Sequence, residues 1–225
     1  MVIDVHTHTF PDAMAAKVLQ KLTDKCWVPV QPVSDGTVGG LLAQMRADGV
    51  DYAVVCPIAT KPAQFEAILN DALSIRDGGY GACAARHLVP FASVHPADEA
   101  RFSHLTRLAE AGIRGIKLHP YYQEFVLDAP EMLEFFRCCR DLSLVVQCHC
   151  GFDVGYPLAP LCGPERVSRV AREVPGLRFI AAHLGGWRQW GGAIENLLGQ
   201  DVWLDTAVLG PDFSNAEARR LLSEH

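Results

Sequence analysis

The first strand-like segment of the chain ends in Asp4-Val5-His6-Thr7-His8. Side chains alternate along a β-strand, so His6 and His8 point to the same face, with Cα atoms roughly 6.6 Å apart. Imidazole nitrogens bind zinc at ~2.0–2.1 Å, so this pair could hold one metal ion. The motif is short, however, and taken alone it also fits two histidines in a polar turn. Whether this pair binds a metal therefore depends on the side chains that the rest of the chain places near it.

Apolar segments rich in β-branched residues alternate along the chain with segments of helical spacing. Strands are predicted over residues 2–8, 51–58, 88–95, 115–119, 143–149, 178–183 and 202–205. Apolar side chains at three- and four-residue spacing predict helices between them, over 38–47, 62–76, 99–111, 130–140, 164–173 and 188–198. The run Leu144-Val145-Val146 does not alternate with polar residues, which is typical of parallel strands that helices cover on both faces.

Repeated βα units form either an open doubly wound sheet or a closed barrel. No Gly-x-Gly-x-x-Gly motif follows the first strand, so a dinucleotide-binding sheet lacks its main signature. Instead, six of the predicted strands end in a side chain that can bind a metal or transfer a proton. These residues are His8, His95, His119, His149, His183 and Asp205. A barrel gathers all these ends on one rim, where its active sites lie. We therefore predict an α/β fold of the TIM (β/α)8-barrel type, forming a single domain over residues 1–225.

The pattern contains seven predicted strands, whereas a closed (β/α)8 barrel has eight. A last helix is predicted from Ser214, because Ser214 and Glu217 have the spacing of a capping box. We therefore expect the sequence to be truncated before the eighth strand, so that the C-terminal βα unit and part of the active site are missing.

Composition argues against several classes of partner. The formal net charge is −6 and no basic run occurs, so binding to nucleic acid is not expected. No apolar stretch approaches the ~20 residues of a membrane span, and no signal peptide is recognised. The eight cysteines are scattered, which favours reduced thiols and a cytoplasmic location. A small-molecule substrate is the expected partner, and a homo-oligomer is compatible with the sequence.

Two further histidines end later strands on the same predicted rim. His149 alone would fit a hydrogen-bonded core residue, but opposite His6 and His8 it supplies a third nitrogen ligand. His183 repeats the pattern on the next strand, where it could be an acid or base beside the metal, or a further ligand. The sequence thus predicts a metal site of His6, His8 and His149.

Other residues near this rim are candidates for substrate recognition. Lys117 and His119 share a face of the fourth strand, so Lys117 could bind a substrate carboxylate or lie in water. Trp187 could form the wall of a pocket or pack against a helix. Asp205 could bind the metal, hold a histidine tautomer or cap a loop, and the two supporting roles are favoured.

The chain resembles the amidohydrolase superfamily in four ordered motifs, Asp-x-His-x-His, Gly-Ile-Lys-Leu-His-Pro, Cys-His-Cys-Gly and Ala-His-Leu-Gly-Gly. More narrowly, it resembles the amidohydrolase-related branch that contains aminocarboxymuconate-semialdehyde decarboxylase. The resemblance implies that His6, His8 and His149 bind a divalent metal, usually zinc, and that His183 orients or deprotonates its water. Manganese or iron would also suit imidazole ligands. The family's metal-binding aspartate of strand eight has no counterpart after Asp205.

The expected function is metal-dependent hydrolysis of an amide, ester or lactone bond in a small organic substrate by a metal-activated water. His183 is the expected catalytic residue, with Lys117, His119 and Trp187 in substrate binding. Two alternatives stay open. The same site could catalyse non-oxidative decarboxylation of a carboxylated aromatic or muconate-type substrate, or the barrel could hold a metal without catalysis.

Overall fold

The computed structural model describes residues 1–156, 158–209 and 214–225. Its strands, β1 to β7, are Ile3–Thr7, Tyr52–Val55, Leu88–Pro90, Gly115–Leu118, Val145–Cys148, Arg178–Ala181 and Trp203–Leu204. Its helices, α1 to α10, are Asp12–Thr23, Val38–Asp48, Phe65–Arg76, Ala82–His87, Arg101–Glu110, Pro120–Gln123, Pro130–Asp141, Pro164–Glu173, Trp190–Leu197 and Ala216–Glu224. None of the described helices is both long enough and apolar enough to cross a membrane.

All paired strands are parallel and follow the order of the chain, as β1-β2-β3 and β4-β5-β6-β7. A single bridge between Ala92, just after β3, and Ile116 of β4 links the two groups. Parallel strands in chain order with helices between them have the arrangement of a (β/α)8 barrel, which is the predicted fold class. Within the described residues, no ladder joins β1 to β7, the two ends of this order.

Side chains of β5 alternate between the barrel interior and the layer under the helices. Val146 and Cys148 belong to the main apolar cluster, and so does Cys150 just after the strand. Gln147 points the other way, and its side-chain oxygen accepts a hydrogen bond from Cys56 Sγ at 2.8 Å. The main apolar core therefore lies between the strands and the helices, while the face of Gln147 combines polar groups with a small apolar cluster of Val54, Cys56 and Phe91.

The observed elements differ from the predicted ones mainly at their ends. The strands are shorter, so His8, His119, His149 and His183 each lie one or two residues beyond a strand. Helices α1, α4 and α6 are additional to the predicted set. Helices α4 and α6 have six and four residues, which is too few for apolar spacing to indicate a helix.

The last helix also starts differently from the prediction. Its N-cap is Asn215, whose side-chain oxygen accepts hydrogen bonds from the backbone N–H groups of Glu217 and Ala218. The predicted capping box at Ser214 is therefore wrong, because the neighbouring asparagine satisfies the first free N–H groups of the helix.

The loop after β5 meets the loop after β6 at Gly151, which gives a test of how tightly the two loops pack. Gly151 has a φ of +85°, and a Cβ atom there would overlap the backbone of Gly186 and Trp187. Gly78 has nearly the same φ, +86°, but open space around the Cβ position.

We expect Gly151→Ala to lower the free energy of unfolding by about 3 kcal/mol or more, because both strain and overlap arise. Gly78→Ala, the matched control, should cost only ~1 kcal/mol, since it adds the left-handed strain alone. Urea denaturation measures both. Equal losses in the two variants would contradict the close packing of these loops.

Candidate active site

The polar side chains predicted from the sequence gather around one cavity of about 880 Å³. The lining includes the following rim residues: His6, His8, His119, His149, His183, Trp187 and Asp205. His95 is not part of this lining, and its Nδ1 instead accepts a hydrogen bond from the backbone N–H of Ala97. The strand ends thus bring most of the predicted site together.

Asp205, just after β7, is the most connected side chain of the site. It is 3% exposed. One carboxylate oxygen accepts hydrogen bonds from His6 Nδ1 at 2.8 Å and from Gln147 Nε2 at 2.9 Å. The other oxygen accepts from the backbone N–H groups of His183 at 2.8 Å and Ala207 at 3.1 Å. A single carboxylate thus joins β1, β5 and the loop after β6.

The charge of Asp205 is maintained by these partners. Burial alone would raise the pKa of this carboxyl, but the hydrogen bond that His6 donates, together with favourable electrostatic interactions with His6, His183 and the Lys117 ammonium, outweighs burial. The pKa of Asp205 is therefore held well below its usual range. The carboxylate is ionised at neutral pH and accepts hydrogen bonds at both oxygens.

The backbone at the end of β6 adopts an unusual conformation beside this carboxylate. His183 and Leu184 have φ values of 61° and 54°, in the left-handed region that non-glycine residues rarely adopt. Asp205 holds both residues, because its side chain accepts from His183 N–H and its backbone oxygen accepts from Leu184 N–H at 2.8 Å. Strain of this kind persists only where surrounding contacts enforce it, and it is common at functional sites.

The tautomers of His6 and His8 follow from their hydrogen-bond partners. His6 donates its Nδ1 hydrogen to the Asp205 carboxylate, and His8 donates its Nδ1 hydrogen to the backbone oxygen of Cys56 at 2.7 Å. A carbonyl or carboxylate oxygen accepts only, so these nitrogens carry the hydrogen. The Nε2 atom of each neutral ring therefore carries a free lone pair.

The histidines after β5 and β6 follow the same rule. His149 donates from Nε2 to the backbone oxygen of Phe152 at 2.9 Å, and His183 donates from Nδ1 to the backbone oxygen of Ala207 at 3.0 Å. The remaining nitrogens, His149 Nδ1 and His183 Nε2, lie 3.1 Å apart. Two neutral lone pairs at this distance repel each other unless a proton or a cation lies between them.

All four rings are neutral near pH 7. Burial, followed by the positive charge of Lys117, holds the pKa of His6 well below its ordinary value and lowers the pKa of His8 to about 4. His8 is the most exposed of the four, because its ring faces the open cavity. The walls of the cavity still surround the ring, and this enclosure lowers its pKa. Burial also lowers the pKa of His149 and of His183.

These features fit a divalent metal ion. Metal-binding histidines usually donate their second nitrogen to a carboxylate or a backbone carbonyl, and all four rings do so here. Among the described residues, two groups of possible ligand atoms lie within 4.8 Å of one another, His6–His183–Asp205 and His119–His149–Asp153, and neither is the predicted set of His6, His8 and His149.

Lys117 lies beneath the cavity rather than in its wall. Its side chain is buried in the barrel interior, 1% exposed, and its ammonium group donates a hydrogen bond to His6 Nε2 at 2.8 Å. The rim position that the sequence allowed is therefore wrong, because the long side chain reaches inward to the nearest lone pair. Its predicted contact with a substrate stays a prediction.

The sequence analysis did not identify Asp153, which lies beside His119. Asp153 Oδ2 is 3.3 Å from His119 Nε2 and 3.9 Å from His149 Nε2. The rings of His119 and His149 stack at 4.1 Å, and the buried Nδ1 of His119 has no hydrogen-bond partner among the described residues. Asp153 follows His149 by four residues in a loop without regular spacing, so only its closeness to the strand end could have indicated it.

The opposite wall of the cavity is mainly apolar. It is formed largely by the long connection between β1 and β2, with Phe10, Leu19 and Leu22 among its side chains. Trp27 attaches this connection to the loop after β5, donating from its backbone N–H to Val154 and from Nε1 to the backbone oxygen of Asp153. The cavity thus has a polar floor and an apolar roof.

The family model described as Amidohydrolase matches residues 3–224 of the chain. A comparison with curated proteins gives no match. Among solved structures, the probable 2-pyrone-4,6-dicarboxylic acid hydrolase of Acinetobacter baumannii is similar with a TM-score of 0.62 and 16% identity. The alignment covers 99% of this chain and 77% of that one.

Two other solved structures have a similar fold. An uncharacterised TIM-barrel protein of Bordetella bronchiseptica has a TM-score of 0.67 and 15% identity, over 91% of this chain and 74% of that one. The 5-carboxyvanillate decarboxylase of Sphingomonas paucimobilis has a TM-score of 0.65 and 16% identity, over 99% and 84%. At these identities the similarity concerns the fold. The family model, in contrast, matches almost the whole sequence, and the chain therefore belongs to the amidohydrolase family.

Proposed function

We propose that this protein is a metal-dependent hydrolase that acts on an amide, ester or lactone bond of a small organic substrate. The observation that carries the proposal is the convergence of four neutral imidazole rings, each with its second nitrogen held by an oxygen acceptor. Membership of the amidohydrolase family supports the same conclusion. Zinc is the ion we favour, with manganese or iron as alternatives.

His6, His8 and His149 would hold the ion through His6 Nε2, His8 Nε2 and His149 Nδ1. Because Lys117 donates to His6 Nε2, its ammonium must leave this nitrogen when the ion binds. A divalent ion supplies Lewis acidity toward a carbonyl oxygen and lowers the pKa of water.

His183 is the proposed base. Its Nε2 lies next to His149 Nδ1, and its Nδ1 hydrogen is fixed on Ala207, so Nε2 is the atom that can accept a proton from the attacking water. The ionised Asp205 receives the backbone N–H of His183 and stabilises the imidazolium that this transfer creates. His119 and Trp187, which line the cavity, are proposed substrate contacts.

Decarboxylation is the second candidate, because a solved structure of similar fold is a 5-carboxyvanillate decarboxylase. The two reactions differ in their products. Incubation of the metal-loaded protein in ¹⁸O-labelled water with lactones, esters and amides should place the label in the acid product. Release of carbon dioxide from carboxylated aromatics, without incorporated label, would favour decarboxylation instead. Turnover of neither class would leave the non-catalytic metal-binding barrel.

The metal site itself can be tested by composition. We expect about one zinc, manganese or iron ion per chain by elemental analysis, and its loss in a His6→Ala, His149→Ala double variant, because two ligands disappear. His87→Ala is the matched control, since His87 lies outside the cavity and its Nδ1 donates to the backbone oxygen of Asp51. Equal metal content in all three proteins would contradict the proposed ligands.

The role of Asp205 can be separated from ligation. Asp205→Asn keeps the shape but removes the charge that holds His6, so we expect a 10–100-fold loss of metal affinity, as for other partners of metal-binding histidines. Competition with a chromophoric chelator measures the affinity. Asp201→Asn, which changes a nearby exposed carboxylate, should have no effect. Unchanged affinity in Asp205→Asn would show that His6 needs no carboxylate.

The neutral histidines also predict how stability depends on pH in the chelator-treated protein. Burial holds the pKa of His6, His119, His149 and His183 below the value of about 6.5 in an unfolded chain. Between pH 7 and 5 the unfolded state therefore binds more protons than the folded state, and the free energy of unfolding falls as the pH falls.

Asp205 does not alter this sign, because its lowered pKa contributes stability above about pH 3.9, which is lost only below the tested window. We expect the urea midpoint to be lower at pH 5 than at pH 7, and less so in a His149→Gln variant that has one such ring fewer. A midpoint that is equal at both pH values would contradict the neutral, buried state of these rings.

A further inference from the structure

The charges around the cavity are distributed unevenly. Among the described residues that line it, there is no lysine and no arginine, whereas three aspartates, Asp4, Asp153 and Asp205, are present. Residues 157 and 210–213, which the structure does not describe, include no lysine or arginine either. Proteins usually bind carboxylates of a ligand through arginine or lysine, since a buried carboxylate without a cationic partner is strongly disfavoured.

The nearest cations of the rim pack against aromatic rings and are not themselves part of the cavity lining. Lys25 places its ammonium 5.7 Å from the ring centre of Tyr122 and 5.1 Å from that of Tyr156. Arg188 lies over Trp187 at 4.6 Å and Trp27 at 5.5 Å. These cations lie against aromatic faces, which is a favourable arrangement in itself. The third, Lys117, lies below the floor beside His6 Nε2 and is not part of the cavity lining.

The roof of the cavity, in contrast to the floor, is mainly apolar. Leu19, Leu22 and Ile58 line the cavity together with Phe10, so a large part of its surface away from the histidines is hydrocarbon. A ligand whose reacting carbonyl reaches the floor must place its remaining atoms against this surface. Apolar atoms gain from that burial, whereas a charged group there would lose its water without gaining a partner.

We infer that the substrate is a neutral lactone, ester or amide whose non-reacting part is an apolar ring or chain, and that substrates carrying additional carboxylates are rejected. This inference rests on the proposed hydrolytic function for its reaction class. It concerns the specificity of the same cavity, with the residues of the roof as the determinants.

A pair of ketones tests the inference without turnover. 4-Phenylcyclohexanone is neutral, and 4-(4-carboxyphenyl)cyclohexanone differs from it by one carboxylate. We expect the metal-loaded protein to bind the neutral ketone at least about tenfold more tightly, a difference of ~1.4 kcal/mol, as measured by calorimetry or by tryptophan fluorescence. Equal or tighter binding of the carboxylated ketone, or binding of neither, would overturn the inference.

A charge introduced into the roof should reverse the preference. Leu22→Lys places a cation in the wall, so the carboxylated ketone should gain affinity and the neutral ketone should lose it. Leu22→Met, which keeps an apolar side chain, should retain the original order. If Leu22→Lys retains that order as well, the roof does not determine specificity and the inference fails.

Turnover of the corresponding lactones separates this inference from the proposed function. Hydrolysis of the neutral phenyl-substituted lactone in preference to its carboxylated analogue supports both. Preference for the carboxylated lactone supports hydrolysis and overturns the inference. Hydrolysis of neither lactone, with the neutral ketone still bound more tightly, contradicts the proposed reaction while the apolar specificity of the cavity stands.

Discussion

The arrangement of the site depends on one buried carboxylate. Asp205 lies at the end of the last described strand, and it fixes a ring of β1, a side chain of β5 and the backbone beyond β6. Within the described residues no backbone ladder joins β1 to β7, so the contact between His6 and Asp205 is what connects the two ends of the strand order. The same carboxylate therefore links the two ends of this strand order and orients a histidine.

The sequence was sufficient to predict the barrel class and most residues of the floor, because two periodicities carry that information. Alternation in strands aligns His6 with His8, and the recurrence of βα units places the histidines that follow β5 and β6 on the same rim. The shared face of Lys117 and His119 was visible too. Strand ends were less well predicted, since pairing stops before the polar residues begin.

Other features depend on contacts that no local pattern encodes. Spacing places Lys117 on the same face as His119, but it does not show that the side chain is buried or that its ammonium reaches His6. Gln147 lies in a strand whose sequence is mainly apolar, and its hydrogen-bond partners, Cys56 and Asp205, come from distant parts of the chain. The apolar roof comes from a long connection without clear periodicity, so its position over the floor follows only from tertiary packing.

The hydrogen bond between His6 and Asp205 spans 199 residues of sequence. During synthesis the first histidines emerge from the ribosome long before this carboxylate exists, and contacts of such separation form late in folding. Until Asp205 is in place, the ring of His6 therefore lacks the acceptor that fixes its tautomer, whereas His8 already has its acceptor next to β2. Capture of the proposed metal ion would therefore require complete folding, because His6 is oriented as a ligand only after Asp205 has reached it.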